Sequence, residues 1–111
     1  MCIICNKEYD INIKYIYIQN CKKIKEIPKN LINLEELIIE KCDNFNKLHN
    51  TFTKLKKLYI HYYNKISYIP DNFNNLEDLQ LEFCPIGKQT IYCYSIDKKK
   101  IQNYINYINK I

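Results

Sequence analysis

The feature that most constrains this chain is that it meets itself again whenever it is slid by 21 residues. Leu34 answers to Ile13, Leu55 and Leu76; Leu37 to Ile16, Leu58 and Leu79; Ile39 to Ile18, Ile60 and Leu81; Cys42 to Cys21, Tyr63 and Cys84. A unit this short has too little of its own interior to bury its apolar face, so such units stack on one another into a solenoid. The frame runs from Ile13 to about Gly87, as units near 13–33, 34–54, 55–75 and a truncated 76–87. Residues 1–12 precede it as an N-terminal cap, and residues 88–111 follow it as a C-terminal cap.

Each unit mixes two periods. The pairs Ile16/Ile18, Leu37/Ile39, Leu58/Ile60 and Leu79/Leu81 alternate as in a short strand, with every second side chain on one face. The remainder of the unit carries turn chemistry. Pro28 and Pro70 hold equivalent places, where a fixed φ and a missing N–H suit a bend, and His49 takes that place in the second unit. Ile24/Phe45/Ile66, Ile27/Leu48/Ile69 and Leu31/Phe52/Phe73 supply the inward positions of the return segments, so each unit contributes the same apolar layer.

These residues resemble the leucine-rich repeat family, whose L-x-x-L-x-L-x-x-N/C-x-L core is matched at Leu34-Leu37-Ile39-Cys42 and in its three copies, over about two thirds of the chain. The resemblance implies an α/β fold class: a leucine-rich repeat solenoid with a parallel β-sheet on the concave face and an irregular or short-helical convex side. Tyr63 departs from the family's small Asn or Cys, so the third unit is expected either to bulge or to use Asn64 instead. After Cys84 the frame is lost, and Pro85–Gly87 ends the regular stacking. Thr90–Ile96 reads as a last strand. Residues 97–111 read as a helix with Asp97 as N-cap and with Ile101, Tyr104, Ile105, Ile108 and Ile111 on one face, packed over the last repeat.

Composition narrows the functional classes. The chain is rich in Ile, Asn, Lys and Tyr and has no Ala, Val, Arg or Trp, a skew that A/T-rich codons produce. The net charge of +5 is carried by scattered Lys without Arg, the residue that forks onto phosphates and bases, which disfavours nucleic acid as partner. No apolar run approaches the roughly 20 residues of a membrane span. The opening MCIICNKEYD lacks a secretory signal pattern, and there is no N-x-S/T sequon. An intracellular, cytoplasmic protein with reduced cysteines is expected.

Among the six cysteines, Cys21, Cys42 and Cys84 share a repeat position and should form a buried column. Cys2-x-x-Cys5 has metal-knuckle spacing, but the sequence offers no second ligand pair, and neither Cys93 nor His49 supplies one. The pair therefore reads as capping residues, and no metal or cofactor is assigned. With Gly87 as the sole glycine there is no phosphate-cradling loop, and no Cys/His or Ser/His context marks a nucleophile, so no catalytic residue is assigned and the chain is expected not to be an enzyme.

The informative surface is the concave one. In-register parallel strands lie about 4.8 Å apart, and their outward positions form the columns Tyr15-Glu36-Lys57-Asp78, Tyr17-Ile38-Tyr59-Gln80, Gln19-Glu40-His61-Glu82 and Asn20-Lys41-Tyr62-Phe83. The first should be an alternating charge ladder, and the third sets a histidine between two carboxylates, read as an exposed charge pair, with a pH-sensitive contact or three ligands for a divalent metal as the alternatives. The second makes an apolar-aromatic stripe of Tyr17, Ile38 and Tyr59, with Tyr62 and Phe83 nearby, either a surface where binding energy concentrates or passive stacking along the ladder. The expected function is a protein–protein interaction module presenting Tyr17, Ile38, Glu40, Tyr59, His61, Tyr62, Glu82 and Phe83 to a partner protein. The rival readings are a structural role through self-association of a solenoid end, and a nucleic-acid contact through Lys22, Lys23, Lys25 and Lys29 or through Lys98–Lys100.

Overall fold

A computed structural model describes residues 2–62, 64–82, 91–94 (backbone) and 98–110. Strands form where the alternating pairs stand: β1 (Tyr15–Gln19), β2 (Glu36–Glu40), β3 (Lys57–His61) and β4 (Asp78–Glu82). They lie side by side in chain order, all parallel, with Ile16, Leu37, Leu58 and Leu79 in one register column and Ile18, Ile39, Ile60 and Leu81 in another. Both of these columns are buried. The connection between successive strands returns over the inner face, so the chain winds as a solenoid with a four-stranded parallel sheet along one side.

The inner layer is assembled from the expected return positions. Ile24, Phe45 and Ile66; Ile27, Leu48 and Ile69; and Leu31, Phe52 and Phe73 are all buried against the strands. Each unit re-enters its strand through the same turn, in which the N–H of Leu34, Leu55 or Leu76 donates to the carbonyl three residues earlier at 3.2, 3.2 and 3.3 Å. The cap carries a first copy of that turn, Ile13 N–H to Asp10 C=O at 3.0 Å. Cys2, Ile4, Cys5, Tyr9 and Ile13 lie half-buried against the core, so residues 2–13 cover the open end of the apolar layer.

Polar side chains reinforce the winding at a fixed offset. Asn44 donates to Lys22 C=O, Thr51 to Lys29 C=O, Asn72 to Asn50 C=O and Asn75 to Thr53 C=O, each 22 residues back, at 2.6–2.8 Å. These bonds satisfy turn carbonyls that have no helix or sheet partner, which is the ordinary requirement on irregular backbone.

The strand exits are conformationally unusual. Asn20, Lys41 and Tyr62 have φ of 58°, 53° and 58°. Asn tolerates this left-handed region; Lys and Tyr occupy it at a cost. Their N–H groups donate to Glu40, His61 and Glu82 carbonyls at 3.0 Å, extending the ladder one residue beyond each strand. Of the cysteine column, Cys21 and Cys42 are buried, and Cys84 lies outside the described residues. Tyr63 lies outside them as well, while Asn64 is buried with its Oδ1 accepting the Ile66 N–H at 3.0 Å, in keeping with one of the two arrangements expected for the third unit.

The C-terminal segment closes the other end. β5 (Ile91–Tyr94) pairs antiparallel with β4 within the expected Thr90–Ile96, whose other residues lie outside the described ones. The helix α1 (Lys98–Ile108) buries Ile101, Ile105 and Ile108, the expected face; Asp97, Ile111 and the Pro85–Gly87 break lie outside the described residues. Among the described residues, no helix is long and apolar enough to cross a membrane. α1 docks on the return segment of the third unit, where Gln102 donates to Asp71 C=O. There Asn109 accepts the Ile69 N–H at 3.0 Å and donates to the Ile69 C=O at 2.7 Å.

Asn109 therefore imitates the backbone of a further repeat. Asn109→Ala leaves both main-chain groups of Ile69 without their partner and is expected to destabilise the fold by about 1–3 kcal/mol. Urea unfolding monitored by circular dichroism measures this; an unchanged midpoint would show that the helix is held by its isoleucines alone.

Candidate functional site

The outer face of the sheet is built by the residues that alternate with the core. Tyr15 and Tyr17 of β1 are 61% and 56% exposed, whereas Ile38, Tyr59, His61, Glu40 and Glu82 on the inner strands are half-buried by their neighbours. The observed register sets Tyr17 beside Ile38, Ile38 beside Tyr59, Glu40 beside His61 and His61 beside Glu82, as the columns required. Tyr62 follows β3 at the positive-φ exit. Phe83, the remaining predicted contact residue, lies outside the described residues.

Within this face the aromatic rings are held together. Tyr59 and His61 stack with centroids 5.6 Å apart and planes 13° from parallel, and Tyr62 meets His61 edge-on at 6.1 Å. Three phenols of the face are also tied to an acid on the next strand. Tyr17 Oη donates to Glu40 Oε2 at 3.1 Å, Tyr59 Oη donates to Asp78 Oδ2, and Tyr62 is hydrogen-bonded to Glu82. Lys57 and Lys41 sit over the rings of Tyr59 and Tyr62 at 5.4 and 5.7 Å from their centroids. The hydrogen bond to Glu40 pushes the Tyr17 phenol above its ordinary value of 10.0, with burial and the Glu40 charge adding to it. The Glu82 charge does the same for Tyr62, helped by burial and by their hydrogen bond.

One expectation about this face is corrected, and one alternative is not met. Lys57 and Asp78 do not make a charge ladder with Glu36, because both are drawn to Tyr59. The ion pairs form one position earlier, where Glu35 lies 3.9 Å from Lys14 and 3.6 Å from Lys56. Nor do Glu40, His61 and Glu82 converge as a ligand set. His61 Nε2 lies 3.1 Å from Gln80 Oε1, and Nδ1 is 4.0 Å from Glu40 Oε1. Gln80, two residues before Glu82 on the same face, reaches the imidazole first.

The opposite side of the solenoid carries the other candidates. His49 is on the return segments as expected, 3.2 Å from Glu26 Oε1 and edge-on to Phe52. A groove of about 670 Å³ opens there between His49, Tyr68, Pro70 and Asn72, unanticipated from sequence because it is formed by the tips of stacked turns. Lys22, Lys23, Lys25 and Lys29 are exposed on the first return segment, and Lys98–Lys100 on the first turn of α1, so the basic residues are spread over separate surfaces.

Sequence reasoning also missed a meeting of thiols. The sulfurs of Cys2, Cys5 and Cys21 lie within 4.8 Å of one another, the one group of three or more such ligand atoms that converges among the described residues. Cys5 Sγ is 3.7 Å from Cys21 Sγ. Burial and the neighbouring Cys2 and Cys21 push the Cys5 thiol up to about 12. Burial also raises Cys21, but hydrogen bonds from the backbone of Lys23 and from Cys2, with those of Ile24 and the Cys2 backbone, bring it down to about 7. The signal was the repeat itself: Cys21 stands at the first strand exit, against the cap that carries Cys2-x-x-Cys5.

Comparison of the chain with protein-family models, with curated protein sequences and with solved structures finds no match.

The hydrogen bond from Tyr17 to Glu40 fixes a titration. A phenol that donates to a carboxylate loses that bond on ionising, so Tyr17 is expected to titrate above 10.0 and to return toward that value in Glu40→Gln, while Tyr62, tied chiefly to Glu82, moves less. Carbon-13 NMR of the tyrosine ring carbons over alkaline pH reads each site; a Tyr17 titration unaffected by Glu40→Gln contradicts the geometry described.

Proposed function

We propose that the chain is a non-enzymatic protein-interaction module of the leucine-rich repeat type, which takes a partner protein on the outer, concave face of its sheet inside the cell. The observation that supports this most strongly is the cluster of Tyr17, Tyr59, His61 and Tyr62 with its phenols tied to carboxylates. Rings fixed in this way lose little rotamer entropy when a partner covers them, and tyrosines in such a setting carry a large share of interface energy. The geometry suits recognition by shape, aromatic surface and charge.

The sign of the face suggests the partner's chemistry. Its positions carry four carboxylates, Glu36, Glu40, Asp78 and Glu82, against Lys41 and Lys57, both of which lie over tyrosine rings. A net acidic, ring-lined face on a chain of net charge +5 repels phosphates and attracts a segment that offers lysine or arginine together with apolar side chains. This argues against the outer face as a nucleic-acid surface.

A second reading is favoured by β1, which stands at the edge of the sheet with β2 as its strand neighbour. An edge strand bearing Tyr15 and Tyr17 is a template for strand addition, and a second copy of the chain supplies one.

The decisive comparison is an affinity capture from lysate with the native chain and with Tyr17→Ser/Tyr59→Ser, after circular dichroism shows both folded. A partner held by the native chain and lost from the double variant is the expected outcome, with the interaction weakening as salt rises. Capture of the same proteins by both chains would refute the outer-face site. Sedimentation that shifts with concentration for the native chain, and not for the variant, would assign the face to self-association.

A further inference from the structure

The thiol cluster is separate from the outer face and from every surface used above. Cys2 and Cys5 lie on a tight turn of the cap, in which Asn6 N–H donates to Cys2 C=O at 3.0 Å and Lys7 N–H to Ile4 C=O at 3.1 Å. Both are half-buried and point their sulfurs at Cys21, which is buried at the end of the first strand. Three thiols from two elements thus converge, with all sulfur separations below 4.8 Å.

The next cysteine in the column shows what a merely structural thiol does in this fold. Cys42 donates to Glu40 C=O at 3.3 Å and lies 3.9 Å from Ile18 C=O, so its sulfur is absorbed by its own strand exit and the one before it. Cys21, at the same repeat position, instead faces two other sulfurs.

The spacing is that of ligands around one ion. Zinc–sulfur bonds of about 2.3 Å at tetrahedral angles place two sulfurs about 3.8 Å apart, and Cys5 and Cys21 stand at 3.7 Å. A disulfide requires about 2.05 Å and joins two sulfurs, which leaves the third without a role. We propose that Cys2, Cys5 and Cys21 form a binding site for a thiophilic d10 ion, Zn2+ or Cu(I), which staples the N-terminal cap to the first repeat. The three thiols give up their protons as the ion enters. Zn2+ keeps a fourth position for water or a small thiol on the half-exposed side of Cys2 and Cys5; Cu(I) is satisfied by the three sulfurs in a plane. Soft thiolates select these two ions over the hard divalent cations.

The test titrates the full reduced chain anaerobically with Co2+ and then displaces it with Zn2+ or Cu(I). The expected result is one equivalent of cobalt showing a thiolate charge-transfer band, displaced stoichiometrically, with the thermal midpoint of the Zn2+ form raised by several degrees. Cys2→Ser and Cys5→Ser, which alter half-exposed positions, should each weaken binding by at least about tenfold. Cys42→Ala and the pair Cys84→Ser/Cys93→Ser should leave it intact. Absence of the band in the native chain, its survival in Cys2→Ser/Cys5→Ser, or its loss in Cys84→Ser/Cys93→Ser would overturn the proposal. So would a reduced chain that takes up no metal but forms a Cys5–Cys21 disulfide in air. Competition of Zn2+ and Cu(I) for the reduced chain, read by mass spectrometry of the intact complex, separates the ions.

Discussion

The whole structure depends on one constraint, the in-register parallel ladder that places each residue beside its equivalent 21 positions away. The ladder is held in register by its interior. A fully buried Leu, Ile or Phe contributes roughly 1.5–3 kcal/mol, and an exposed ion pair between zero and about 1 kcal/mol. Slipping any strand by one residue would exchange the buried columns of Ile16 and Ile18 with Tyr15, Tyr17 and Gln19. The apolar columns therefore decide the register, and the polar residues accept the neighbours that result. That is why Tyr17 finds Glu40 and Tyr59 finds Asp78: both pairs are consequences of a register set on the other face.

The strand exits show where this order is bought with strain. A left-handed conformation costs a non-glycine residue on the order of 1–2 kcal/mol, and Lys41 and Tyr62 both adopt it. What they gain is a further rung of the ladder and, for Tyr62, a ring turned edge-on to His61 under a lysine. Asn20, in the first unit, adopts the same φ with a side chain suited to it. The two strained exits thus meet on the outer face, Tyr62 adding a ring and Lys41 lying over it, while Asn20 sits at its margin.

Strand positions, core layers and the isoleucine face of the last helix were legible from sequence because each is a periodic signal repeated in register. Three features were not. Asparagines were taken for codon bias, yet Asn44, Asn72 and Asn75 bind turn carbonyls 22 residues back, an offset that becomes visible only once the winding is known. The Glu36-Lys57-Asp78 column was read as charge pairing, but in water Coulombic attraction between exposed groups is weak, and a phenol with a fixed direction outcompetes it for Asp78. Cys21 was read with Cys42, its repeat equivalent, although the first unit has no predecessor and its exit faces a cap instead. In each case the repeat predicts the average position, and the departure comes from what lies at the end of the stack or from side-chain direction.

The number of units that the two caps enclose limits what the outer face can do. Four strands of five residues, at about 4.8 Å between strands and 3.3 Å per residue, make a platform of roughly 19 by 17 Å, about 300 Å² in projection. A stable interface covers roughly 800 Å² on each partner. If the outer face takes a partner as proposed, these four strands alone would give it a weak contact. Reaching a stable complex requires the partner to continue past the platform, and the β1 edge is the adjoining surface with backbone groups to offer. An extended segment that pairs with β1 while its side chains cross Tyr17 and Ile38 would join the two, beside the cap whose Cys2 and Cys5 sulfurs lie near Cys21. That cap packs against the same core as β1, the strand on which Tyr15 and Tyr17 stand exposed.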